Sequence, residues 1–318
     1  MAPLLEVHGL KKYFRNKAGL LHAVDDVDFT IEEGKTLGVV GESGCGKTTL
    51  GRTILHLLEP TSGRIMFEGK DITNPSKQEM HYLRSKMQII FQDPFSSLNP
   101  RMSVCEAIME PLILHGGMSK NDMLAETRRL MDTVGIAERF ESSYPHELDG
   151  GRRQRVGIAR ALSLNPKFIV CDEPVSALDV SIQAQVINLM LTLQEERGLA
   201  YMFVTHDLSV VNHISNDIMV MYLGQVVEMA ESDELFSKTY HPYSKALLSA
   251  IPVPNIHDKR ERILLRGEIT SPVNPKPGCR FMARCMYASE ECNSPQTLEE
   301  CSPGHFIACC KYREINKI

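Results

Sequence analysis

Eight residues, Gly41-Glu42-Ser43-Gly44-Cys45-Gly46-Lys47-Thr48, follow the apolar stretch Thr36-Leu37-Gly38-Val39-Val40 and precede a helical pattern over 49–58. Glycines at these spacings let backbone N–H groups curl around phosphate. A lysine then reaches the β and γ oxygens, and a threonine hydroxyl ligates magnesium. The apolar stretch suits a strand buried on both faces, and the helix after the loop aims its N-terminal donors at the anion. Strand, loop and helix in that order commit the chain to an α/β core that captures nucleotide phosphate. Gly41, Glu42, Ser43, Gly44, Cys45, Gly46, Lys47, Thr48 and Thr49 are the binding candidates, with Thr48 on magnesium.

A second signal lies downstream. Phe168-Ile169-Val170-Cys171-Asp172-Glu173 reads as a buried strand ending in two carboxylates, after a helical pattern over 152–164. A carboxylate at a strand's C-terminal edge can hold the magnesium shell, and its neighbour can polarise a water for attack on a γ-phosphate. Asp172 is therefore assigned to metal and Glu173 to the general base.

Composition bounds what surrounds these motifs. A chain of 318 residues with 43% hydrophobic content can bury one large core and a smaller appendage. No apolar run reaches the about 18 residues that would suggest a bilayer span, and the start lacks the basic and apolar regions of a secretory signal, so a cytosolic chain is expected. Net charge is −5, from 35 basic and 40 acidic side chains. No overall field draws the chain to nucleic acid, which is not an expected partner. Six of the nine cysteines fall between Cys279 and Cys310. In a reducing compartment such clusters ligate metal more often than they form disulfides.

Leu148-Asp149-Gly150-Gly151-Arg152-Arg153-Gln154-Arg155 precedes the carboxylate strand, and with the phosphate loop this order resembles the ABC-type ATPases over roughly residues 4–250. Gln92, after a strand at 87–91, resembles the Q-loop glutamine. Ser176-Ala177-Leu178-Asp179 resembles the D-loop, and His206, after a strand at 201–205, resembles the switch histidine. Phe14 resembles the aromatic that stacks on adenine, with Tyr13 as the competing choice.

The resemblance implies a P-loop ATPase core at 1–250, built from a RecA-like sheet, an antiparallel β subdomain and a helical subdomain at about 93–160. A linker and cysteine-rich C-terminal domain would fill 251–318. It also implies that ATP and Mg2+ lie between two such chains, head to tail. Gln92 would join the magnesium shell, Asp179 would line the site, and Gly150 and Gly151 would donate to the partner's nucleotide. His206 would stabilise transition-state charge.

The chain departs from the family at one place. The usual signature is Leu-Ser-Gly-Gly-Gln, but Asp149 stands at the serine and Arg152 at the glutamine. A carboxylate facing a γ-phosphate should repel it unless Arg152 compensates. The expectation is an asymmetric heterodimer whose weaker site is the one completed by Asp149.

Phe91-Gln92-Asp93-Pro94-Phe95-Ser96-Ser97-Leu98-Asn99-Pro100-Arg101-Met102 and His241-Pro242-Tyr243-Ser244-Lys245-Ala246-Leu247-Leu248 narrow the resemblance to oligopeptide/dipeptide importers, closer to their second ATPase subunit. This implies an ATPase energising peptide uptake from the cytoplasmic face of the membrane. Its partners would be a second ATPase subunit, two transmembrane permeases and an extracytoplasmic peptide-binding protein. Nickel or another small solute is the alternative cargo. An accessory ATPase of a soluble enzyme and a DNA-repair ATPase are the alternatives of another class, although 93–147 is too short for a coiled-coil insertion.

Beyond the ATPase region, Pro252, Pro254, Pro272, Pro275 and Pro277 mark an extended connection. Cys279, Cys285, Cys292 and Cys309 match the subfamily's terminal pattern, whose resemblance implies a [4Fe–4S] cluster; Cys301 and Cys310 are surplus. Zinc is the alternative metal, and bare or disulfide-linked thiols remain open. Arg280, Arg284 and His305 are expected either to hydrogen-bond sulfur or to lie on the surface, His305 on the surface. Cys45, Cys105 and Cys171 read as small apolar residues. Cys45, at a helix N-terminus, is also expected to be unusually acidic and open to alkylation.

Overall fold

The computed structural model describes residues 3–251, 262–265, 267 and 271–318. Pro252 and Pro254 of the expected connection lie outside the described residues. The chain divides into two compact units.

The first unit is Asn74–Val204 with short pieces from nearer the chain's start. Its sheet contains the parallel strands Met87–Ile90, Phe168–Asp172 and Ala200–Val204, with Cys171 level with Ile90 on one side and Phe203 on the other. All five residues of each of the latter two strands are buried, which is why they read as continuous rather than alternating apolar runs. Between the first two strands lie only helices and loops. The helices Val104–His115 and Lys120–Thr133 begin at Ser103 and Ser119, whose hydroxyls accept the orphan N–H groups of Glu106 and Asp122. Glu106 returns a bond to the Ser103 N–H, closing a capping box.

The second unit is Leu5–Ile31, Thr36–Thr73 and Thr205–Ile318. It holds an antiparallel sheet in the order Gly19–Ile31, Leu5–Asn16, Ser62–Phe67, Lys70–Asp71. It also holds the buried strand Thr36–Val40, which runs parallel to Asp217–Tyr222 with Val39 level with Met219. Gln225–Glu231 pairs antiparallel on the far side of Asp217–Tyr222. The C-terminal hairpin then extends that sheet. His305–Ile307 pairs with Gln225–Glu231, Glu228 opposite Ile307, and Glu299–Ser302 pairs in turn with His305–Ile307. The cysteine-rich residues therefore join the same compact unit as the phosphate loop.

Candidate functional site

The phosphate loop is shaped by close backbone approaches. Gly41 has φ 152° and Gly46 φ 108°. A Cβ on Gly41 would lie 2.2 Å from the Met221 carbonyl oxygen, and one on Gly46 2.1 Å from that of Ala23, so neither position admits a side chain. Gly46 sits immediately before the helix Lys47–Ile54, which starts two residues earlier than its apolar pattern. The Lys47 ammonium donates to the carbonyls of Gly41 (2.7 Å) and Glu42 (3.1 Å), so the cation lies across the mouth of the loop. Thr48 and Thr49 occupy that helix's first turn.

Cys45 corrects one expectation. Its side chain is 2% exposed, and burial pushes its thiol up despite the nearby Lys47. The helix terminus and the lysine do not outweigh desolvation, so Cys45 is neither acidified nor open to alkylation.

Behind the loop stand residues from far along the chain. The Glu42 N–H donates to the Tyr243 hydroxyl at 2.8 Å, and the Glu42 carboxylate accepts both Nη atoms of Arg284, at 2.6 and 3.1 Å. Arg280 donates to Asp25 and to the Leu223 carbonyl. Asp25 also accepts from the Tyr13 hydroxyl and faces His22 Nδ1 at 3.2 Å, while the Tyr13 and His22 rings stack with centroids 4.0 Å apart. Burial and the Asp25 bond push the Tyr13 hydroxyl's pKa up. Phe14, the expected adenine platform, sits next to Tyr13 with the Lys12 ammonium 4.9 Å from its ring centroid.

Arg280 and Arg284 thus bond neither to sulfur nor to solvent alone: each is buried against a carboxylate of this unit. His305 differs too. It is fully buried, with Nε2 3.0 Å from Glu228 Oε1, and Glu228 also accepts the N–H groups of Tyr240 and His241. The pairings of Arg280 with Asp25, Arg284 with Glu42 and His305 with Glu228 span long sequence separations that no local pattern encodes. In the same unit His206 is exposed, just before a helix, Leu208–Ile214, capped by Asp207.

The carboxylate pair belongs to the first unit. Asp172 ends its strand 2% exposed. Glu173 follows in the left-handed region at φ 47°, a conformation that costs a non-glycine residue on the order of 1–3 kcal/mol and clusters at functional positions. Its carboxylate accepts from Gln92 Nε2 at 2.9 Å, so the Q-loop glutamine and the expected base are in direct contact.

The signature segment lies in this unit as well. Asp149 caps the helix Gly150–Leu162, accepting the Arg152 N–H at 2.7 Å, and the Arg152 guanidinium pairs with the same carboxylate. A Cβ on Gly151 would meet Ile182 Cγ2 at 2.6 Å, and one on Gly150 would meet Leu178 Cδ2 at 3.2 Å. The D-loop side therefore packs directly onto the two glycines. Asp179 is exposed at the N-cap of Val180–Arg197.

Five cysteines, Cys279, Cys285, Cys292, Cys309 and Cys310, line one narrow pocket in the second unit, together with His241, Gln296 and Lys311. Cys292 and Cys310 sulfurs are 4.0 Å apart. Cys301 lies elsewhere, its thiol donating to the His305 carbonyl. All nine cysteines are free thiols. Burial pushes Cys279 up to about 11 and Cys309 up to about 12. Among the described residues, no three of His, Cys, Asp and Glu converge on a position for a single metal ion.

A phosphate loop after a buried strand, a strand ending in Asp172 and Glu173, and a Gly-Gly helix start define an ATP-binding cassette ATPase. Comparison with known proteins agrees. Residues 24–176 match the family described as ABC transporter, and residues 227–292 match the oligopeptide/dipeptide transporter C-terminal region. The oligopeptide transport ATP-binding protein AppF of Bacillus subtilis is 49% identical over 320 residues, covering 97% of each chain. The dipeptide transport ATP-binding protein DppF of Haemophilus influenzae is 48% identical over 314 residues, covering 96% of each. A dimeric post-hydrolysis structure of the cassette MJ0796 bound to ADP and Pi superposes with a TM-score of 0.66 at 29% identity, over 72% of this chain and 98% of that one.

The chain belongs to the family of ABC transporter ATP-binding subunits that serve oligopeptide and dipeptide import. It is the ATPase that energises peptide import, in assembly with permeases and a partner ATPase. No helix among the described residues is long and apolar enough to cross a membrane.

Proposed function

We propose that this chain binds ATP–Mg2+ through Lys47, Thr48 and the loop's backbone donors, and hydrolyses it with Glu173 as general base against a partner cassette's signature segment. The contact between Gln92 and Glu173 carries this reading, because it joins the residue expected at the magnesium shell to the one expected to take the proton. As the water oxygen bonds to the γ-phosphorus, its proton passes to the Glu173 carboxylate and the bond to the ADP oxygen breaks. Asp172 and Gln92 complete the magnesium shell, His206 contacts the γ-phosphate, Phe14 stacks on adenine and Asp179 lines the interface. The dimeric state named for MJ0796 supports the pairing of two cassettes. The chain works at the cytoplasmic face. There the exposed Ile113, Leu114 and Met118, in the helical segment, offer an apolar seat for one of two permeases, while an extracytoplasmic binding protein delivers peptide.

The signature's carboxylate makes the assembly asymmetric. Asp149 carries charge towards the partner's nucleotide, and its pair with Arg152 is solvent-exposed, a setting in which such pairs contribute only about 0.2–1 kcal/mol. Serine caps a helix about as well as aspartate, so Asp149→Ser changes charge with little change in helix stability. In the assembled transporter this substitution is expected to tighten ATP at the partner's site about tenfold, a difference of 1.4 kcal/mol. Unchanged affinity there in equilibrium nucleotide titration sinks the asymmetry.

Thiols are soft donors suited to iron–sulfur or zinc, and five of them line one pocket of the C-terminal segment beside His241. We propose that Cys279, Cys285, Cys292 and Cys309 hold a [4Fe–4S] cluster, which would cross-link four separate stretches of the C-terminal segment. Anaerobically purified protein should carry about four irons and four acid-labile sulfides per chain. Stoichiometric zinc without sulfide, or metal-free protein, goes against it.

A further inference from the structure

We infer that Arg284 is a positioning residue of the phosphate loop, reaching it from the cysteine-rich segment through Glu42. The inference rests on the assignment of 41–48 as the ATP phosphate site.

Glu42 is held at both ends by residues from beyond position 240. Its N–H donates to the Tyr243 hydroxyl, and its carboxylate takes the two-pronged guanidinium of Arg284. Its carbonyl accepts from the Lys47 ammonium, the group that must reach phosphate. The path from Arg284 to Lys47 therefore runs through one residue, and a shift of the Glu42 peptide moves the lysine's anchor.

The other end of the brace is fixed as well. Arg284 closes a single helical turn, Met282–Arg284, between Cys279 and Cys285, with its N–H bonded to the Phe281 carbonyl. Phe281 is buried, edge-on to Tyr222 with centroids 5.2 Å apart and tilted against Tyr243 at 5.4 Å. The Arg284 side chain is 7% exposed and Glu42 25%, so the pair is largely shielded from solvent. Two parallel charge-assisted bonds in that setting fix orientation as well as distance. Without the guanidinium, Glu42 would leave an unpaired negative charge in the loop that must accept the anionic nucleotide.

A brace that only pinned the C-terminal segment would change stability and leave nucleotide affinity alone. The test is steady-state ATPase kinetics in the assembled transporter with Arg284→Met, Glu42→Gln and the double substitution, with Arg284→Lys as the conservative variant. Arg284→Met is expected to raise the KM for ATP about tenfold, with kcat lowered less than about threefold. Glu42→Gln should raise KM by less, because it removes the stranded charge along with the bond. The double variant should bind ATP better than Arg284→Met alone, and Arg284→Lys should recover part of the loss. A KM within twofold of wild type for both single variants overturns the proposal, as does a double variant worse than Arg284→Met. Should Arg284→Met fail to assemble, Glu42→Gln, placed outside the cysteine segment, decides by its KM. Lys47→Ala separates the two readings. If it leaves ATP binding intact, the loop assignment itself falls; if it abolishes binding while the Arg284 and Glu42 variants bind normally, only the brace falls.

Discussion

In the assembled transporter, Glu173→Gln is expected to cut ATP turnover by roughly 10²–10⁴-fold while leaving ATP binding close to wild type. Glutamine matches the glutamate in shape and keeps an oxygen to accept from Gln92 Nε2, so the local geometry survives. What disappears is basicity at the point where the attacking water must lose its proton. In the proposed mechanism binding depends on the phosphate loop and Lys47, in the other unit of the chain. With bond cleavage blocked, ATP should hold this chain to its partner ATPase, and ADP should not. Turnover measured with nucleotide-dependent association checks both halves. A loss below tenfold removes Glu173 as the base, and pairing indifferent to ATP removes the shared-nucleotide arrangement.

Glu228→Ala should be among the most destabilising single changes, costing about 3–5 kcal/mol. The carboxylate is fully buried, and it accepts from the Tyr240 N–H at 2.7 Å and the His241 N–H at 3.2 Å while facing His305 Nε2 at 3.0 Å. Alanine strands the buried His241 N–H and His305 ring and removes the acceptor of the half-buried Tyr240 N–H, at about 1–3 kcal/mol for each buried unsatisfied group before relaxation. Glu228→Gln retains an acceptor and should cost about half as much. Urea denaturation of the intact chain measures the difference. A cost under about 1 kcal/mol for Glu228→Ala would show that this buried polar cluster does not hold the C-terminal hairpin.

The parts of this molecule legible in the sequence are those whose chemistry is local. The phosphate loop announces itself because glycine spacing, lysine and threonine occur within eight residues, and the carboxylate strand because four buried apolar residues run straight into Asp172 and Glu173. Capping rules also extend to Asp149: aspartate and serine are both good N-caps, and Asp149 starts the helix Gly150–Leu162. Arg280, Arg284 and His305 were beyond such reasoning. Arg284 meets Glu42 across 242 positions and Arg280 meets Asp25 across 255, distances at which periodicity carries no information. Cys45 reads correctly as a small apolar residue, but the balance of effects on its thiol was hidden. Position at a helix start argues for an acidic thiol, and only the packing around it reveals that desolvation dominates.

The hairpin at Glu299–Ser302 and His305–Ile307 also settles where the second unit's extended sheet stops. Gln225–Glu231 is an interior strand only because His305–Ile307 covers its far side, and the margin falls instead to four residues beginning Glu299-Glu300. A short, acidic border resists recruitment of foreign strands, whereas the longer Gln225–Glu231, with Val226, Val227, Glu228 and Ala230 buried, would be a ready template once bared. Trimming the cassette at the apparent end of its ATPase motifs would therefore trade a guarded border for an adhesive one, giving the C-terminal segment a role in solubility.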